Sequence, residues 1–210
     1  MRAPRECGSW FWDLEEVAPP GLESALVMAA RMAEVLGEYG LLMPPHRLEY
    51  DWYVLDWGGI GVSTGLALTV PLGDARLPER VLRSRPSGFP NAEVDDVHVV
   101  GSGTWIDAEG KPHSEPRLVD LSVSPVPIGL SAELAVHHDI WGEFDFRGQP
   151  HADVWKHNAP RLAAALQALD AMLGVAAEPG EATYFGRAVG YGIHGPDVVD
   201  GRGPNLTDLL

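Results

Sequence analysis

The chain has 210 residues, 45% of them hydrophobic, an ordinary content for a globular protein and enough for one sizeable core. Lys and Arg number 15 against 30 Asp and Glu, a formal net charge of −15 that repels phosphate backbones and favours encounter with basic proteins, so direct nucleic-acid binding is disfavoured. No apolar run reaches the roughly 18 to 20 residues of a membrane helix, and Asp13, Glu15 and Glu16 stand where a signal peptide would be apolar, so cytoplasmic residence is expected.

Residues 1 to 18 mix Trp10, Phe11 and Trp12 with acids, and Cys7, the only cysteine, excludes an internal disulfide and a zinc cluster. Pro19-Pro20-Gly21 then introduces a helix from Leu22 to about Tyr39, because Leu22, Leu26, Ala29, Ala33 and Leu36 recur on one helical face and Gly37 and Gly40 are stop signals. Leu48 to Leu55 reads as a strand, Asp56-Trp57-Gly58-Gly59 as a turn, and Ile60, Val62, Leu66, Leu68 and Val70 as the buried parity of a second strand.

Arg76 to Pro90, with its arginines and prolines, reads as an irregular connection with room for one helical turn. Val94 to Ile106 is the next strand, with Arg117 to Val123 its hairpin partner across Asp107-Ala108-Glu109-Gly110, and Leu130 to His138 follows. An Asn158 cap, Pro160, a stripe of Leu162, Leu166, Leu169 and Leu173, and Gly174 together predict the second long helix. The tail from Pro179 predicts a short strand and then a poorly ordered end from about residue 195. The sum is a single α+β domain over 1–210, a mainly antiparallel sheet of five or six strands with two main helices packed on it.

Gly61-Val62-Ser63-Thr64-Gly65 matches G-x-S-x-G, the nucleophile elbow of serine hydrolases, but Leu66 to Val70 continues a strand where the elbow needs a helix. Gly190 to Gly195 fits G-x-G-x-x-G, yet Pro196 follows where the dinucleotide motif requires a helix, so no cofactor is expected. His137, His138, Asp139, His151 and His157 form the one cluster suggestive of a metal. Adjacent strand residues face opposite ways and residues six apart on a helix do not share a face, so no metal site is expected.

Asp139-Ile140-Trp141-Gly142-Glu143-Phe144-Asp145-Phe146 interleaves acids with aromatics, pairing anchor area with charges that orient a basic partner. Asp139, Trp141, Glu143 and Asp145 are the expected partner contacts.

From Leu134 to Leu173 a strand, Asp139-Ile140-Trp141, a glycine-bearing turn and the helix opened by Asn158-Ala159-Pro160-Arg161-Leu162 follow one another. This stretch resembles the C-terminal part of immunity-type proteins of bacterial polymorphic-toxin systems. The resemblance implies a small cytoplasmic α+β protein that binds and neutralises a cognate toxin, and the scarcity of lysine (Lys111 and Lys156 alone) fits a high-GC bacterial source. It carries over no catalytic residues. The leading expectation is a non-enzymatic binding protein for a basic partner, of which such a toxin domain is the example the resemblance implies, with no nucleic-acid or membrane partner and an open oligomeric state. A small serine hydrolase using Ser63 and a structural or scaffolding subunit are the alternatives.

Overall fold

The computed structural model describes residues 1–195 and 198–210. Its elements in chain order begin with strand β1 (Gly8–Asp13), helix α1 (Leu22–Glu38), strands β2 (Met43–Val54) and β3 (Gly58–Ala67), helix α2 (Leu77–Arg83) and strand β4 (Glu93–Ile106). Strands β5 (Pro112–Pro116), β6 (Asp120–Ser124) and β7 (Ser131–Val136), helix α3 (Ala152–Leu173) and the short strands β8 (Glu178–Pro179), β9 (Arg187–Val189) and β10 (Gly192–His194) complete it.

The architecture is α+β with a large antiparallel sheet, but among the described residues that sheet has eight strands rather than five or six, and three helices rather than two. The main path runs β3-β2-β4-β6-β7-β1-β8, with β5 also on β4 and β9-β10 forming a separate hairpin. Three differences account for the larger count. Gly8–Asp13 pairs with both β7 and β8, because alternate burial of Trp10 and Trp12 makes a strand of what reads as an aromatic-acidic mixture. The partner of β4 across Asp107–Gly110 is Pro112–Pro116, while Asp120–Ser124 pairs with an earlier part of β4. In the Arg76 to Pro90 connection, Pro78 sits in the first helical turn, where a missing N–H costs nothing, so Leu77–Arg83 is a helix with Leu77 and Val81 buried.

Helix α1 lies close to its predicted span, burying Ala25, Leu26, Ala29, Met32, Ala33 and Leu36. Helix α3 starts earlier than predicted. Its first residue is Ala152, so Asn158 is no cap but a fully buried mid-helix side chain, and Pro160 lies inside the helix. Asn158 Nδ2 donates to Ile106 O at 2.7 Å and its Oδ1 accepts the Ile106 N–H at 2.9 Å, a clamp on β4 that overrides the local stop signals. The predicted end holds, with Gly174 in the left-handed conformation at φ 73°.

Helices α1 and α3 pack on each other and on one face of the sheet, whose inward parity carries Trp10, Trp12, Leu48, Tyr50, Trp52, Val97, Val99, Leu121 and Leu134. Among the described residues no helix lies across the other face, where Phe11 and Glu133 are exposed and Glu49, His98 and Ser122 half-exposed. Of the tail predicted to be poorly ordered, residues 196 and 197 lie outside the described residues; beyond them Gly203 N–H donates to Gly148 O and Leu206 N–H to Phe146 O. No helix among the described residues is long and apolar enough to cross a membrane.

Candidate functional site

The four residues expected to contact a partner divide sharply. Trp141 is 0% exposed in a 3-10 turn (Asp139–Trp141) that lies against α3, and Asp139 is buried beside it. Asp139 Oδ1 accepts from the Met1 amino group at 2.6 Å and Oδ2 from the Phe146 N–H at 3.3 Å, so its charge is spent inside. Asp145 Oδ1 accepts the N–H groups of Arg147 and Gln149 and thereby closes its own loop. Glu143 alone of the four is fully at the surface. Burial of the aromatic half of the motif in the core is the physical reason the segment does not present itself as a unit.

The histidines separate in the same way. His137 faces Asp120 at 3.1 Å, and His138, 5% exposed, lies 3.5 Å from Glu115 in a cleft of about 350 Å³ that His151 also lines. His151 Nε2 donates to Gly142 O at 2.8 Å and His157 Nδ1 to Asp107 O at 2.9 Å. Burial lowers the His138 pKa from its ordinary value, so the ring is neutral at pH 7. Among the described residues no three His, Cys, Asp or Glu side chains converge with the geometry to hold a metal ion. Burial also pushes the Cys7 thiol far above its ordinary pKa, which removes its nucleophilic form at neutral pH. Gly190 and Tyr191 form the turn of the β9-β10 hairpin, while Pro196 lies outside the described residues.

Ser63 sits mid-strand on β3, exposed in a groove of about 400 Å³ that His98 also lines. Its hydroxyl donates to Asp51 Oδ1 rather than to the imidazole, and the residues after it stay in the strand through Ala67. A nucleophile needs a base to take its proton, and a carboxylate bonded directly to the hydroxyl leaves His98 outside the relay. Ser63→Ala is accordingly expected to leave the circular dichroism spectrum and the turnover of a p-nitrophenyl ester at wild-type level. Loss of a measurable ester hydrolysis in a folded variant would place Ser63 in catalysis.

What the sequence reading missed is the open face of the sheet. Cross-strand register aligns Gly65, Glu49, His98, Ser122, Glu133 and Phe11 in one row across six strands. The neighbouring row holds Ser63 and Asp51, and a bulge between the pairs Tyr50–Val97 and Trp52–Val94 sets Asp95 and Asp96 together opposite Asp51. Charge on this face is unevenly compensated. Glu49 is paired with Arg117 and Arg47, and Asp120 with Arg2, Arg117 and His137. Burial alone would raise the Asp120 pKa, but the His137 hydrogen bond and the surrounding cations outweigh it and hold the carboxyl below its ordinary value.

Asp51, Asp95 and Asp96 make no ion pair with any described residue. Partial burial first, then the negative charges of Asp96 and Asp51, raise the Asp95 pKa above its ordinary value. One signal was legible: Asp95-Asp96 places two polar residues in succession between Val94 and Val97, which breaks strand alternation as a bulge does.

No family model matches this chain, and no curated protein or solved structure was found to match it. The fold class therefore stands on the geometry alone.

Proposed function

We propose that the protein is a non-enzymatic, acidic binding protein of the bacterial cytoplasm that takes a basic protein partner onto the open face of its sheet, as an immunity protein does when it neutralises a toxin. The observation that carries this reading is the uncompensated group Asp51, Asp95 and Asp96, held together by the β4 bulge on a face that no helix covers among the described residues. Like charges opposite one another across strands cost a few tenths to about 1 kcal/mol. A protein keeps such a cost where an incoming cation removes it, and three converging carboxylates on a broad surface draw Arg and Lys rather than a neutral ligand. Phe11, exposed on the same face, supplies apolar contact area.

Two consequences of opposite sign test the reading. Asp95→Asn is expected to raise the melting temperature at pH 7, because it removes repulsion from a folded protein. The sign with pH follows from the raised pKa. Wild type gains stability as pH falls through the folded-state value of Asp95, the variant has no such gain, and the two melting temperatures converge in acid.

Association is expected to respond the other way. Against the protein encoded beside this gene, the triple variant Asp51→Asn, Asp95→Asn, Asp96→Asn should bind about 10-fold more slowly and with a flatter salt dependence. Wild-type association kinetics in the folded triple variant would remove the open face from the interface. Failure of the neighbouring gene product to bind at all would remove the immunity reading itself.

A further inference from the structure

Among the described residues the sheet ends at β3, whose outer edge no strand covers. Leu68 N–H donates to His46 O, so in the antiparallel alternation Thr64 and Leu66 direct their backbone groups to β2, while Ser63, Gly65 and Ala67 direct theirs outward. Of these outward groups the Ala67 carbonyl is met by the Arg80 guanidinium at 3.4 Å. Natural edges are guarded by charge, proline, bulges or cover. Val62–Ala67 carries no charged residue and no proline, and the bulge at Gly61 lies just upstream of it. Ile60, Val62, Leu66 and Leu68 are only half-buried, an apolar row left incomplete where the sheet stops.

The two ends of this edge complement each other. At one end the β2-β3 turn projects Leu55, 71% exposed, and Trp57, 75% exposed, with Asp56 exposed between them. Beyond the other end lies a mainly apolar groove of about 500 Å³ lined by Met43, Pro44, Val70, Pro71 and Leu72, with Glu34 as its charged lining residue and Arg80 beside it on Thr69 and the Ala67 carbonyl. Trp57 and Pro71 are equidistant in sequence from Thr64. We propose that β3 pairs antiparallel with β3 of a second copy about a two-fold axis near Thr64, each Leu55–Trp57 turn seating in the other's Val70–Leu72 groove.

That axis sets Ser63 opposite Gly65 of the second copy, both with outward backbone groups, and brings Asp56 of each turn toward the other copy's Arg80. The contact is isologous, the commonest symmetry of soluble homo-oligomers. The net charge of −15 opposes self-association, but at physiological salt charges more than about 8 Å apart are screened and the close complementary groups decide. Pairing at the edge leaves the open face free, so this inference does not depend on the basic-partner reading.

Sedimentation velocity from about 1 to 100 μM is expected to show a monomer–dimer equilibrium. Trp57→Asp, at an exposed turn, and Ser63→Pro, which removes an N–H that β2 does not use, should each weaken the dimer by about 30-fold or more. Hydrogen exchange should show the Ser63 and Gly65 amides slowing as wild-type concentration rises. A monomer throughout the range, or a dimer that Trp57→Asp leaves unchanged in a folded protein, overturns the proposal. Should Ser63→Pro misfold, the Trp57→Asp result and the exchange rates still decide.

Discussion

Trp141→Ala is expected to lower the melting temperature by roughly 10 °C, whether or not any partner is present. The side chain is fully buried in the turn that β7 hands to the loop before α3, and its truncation removes one of the largest fillings of the core. Such a change costs about 3 to 5 kcal/mol out of a total stability of about 5 to 15 kcal/mol. Trp141→Phe separates area from polarity: the indole N–H finds no acceptor among the described residues, so phenylalanine gives up no hydrogen bond and should recover most of the loss. Thermal denaturation followed by near- and far-ultraviolet circular dichroism measures both. A Trp141→Ala protein that melts like wild type yet binds a partner poorly would return Trp141 to an interface.

Asn158 is expected to be nearly as sensitive, for a polar reason. Its amide bridges Ile106 N–H and Ile106 O and also donates to Val154 O at 2.8 Å, so one side chain satisfies backbone groups of β4 and of its own helix. Asn158→Ala leaves the two Ile106 groups without that partner and should cost about 2 to 4 kcal/mol. Asn158→Asp is the sharper test. It sets one carboxylate oxygen against the carbonyls of Ile106 and Val154, and the nearby cation Arg161, at a long 3.4 Å from the other oxygen, offsets only part of that cost, so it should be less stable than the alanine variant at pH 7. It should regain stability as pH falls and the buried acid takes up a proton, because burial raises its folded-state pKa. Equal stability of the two variants at pH 7 would show that Asn158 does not clamp β4 in solution.

The same residue marks the limit of local reading. Asn158 followed by Pro160 carries every local mark of a helix start, and Gly174 every mark of an end. The end is real because a left-handed residue is a local backbone requirement that glycine meets. The start lies earlier because a buried amide is worth more on β4 than on an N-cap, and nothing in the neighbouring sequence encodes that contact. Asp139 and Trp141 follow the same logic, since interleaved acids and aromatics look alike whether the aromatics face solvent or the core.

From the sequence alone followed the α+β class, the helix beginning at Leu22, the strand parity of Ile60 to Leu68 and the sign of the surface charge. Each rests on short-range periodicity or on a simple sum, quantities that no tertiary contact alters. Tertiary structure alone decided which strands are neighbours, which face of the sheet stays open, and that Asp51 meets Asp95 and Asp96 across a bulge. Register and face are set by pairing between segments far apart in the chain, where a shift of one residue turns every side chain to the opposite face.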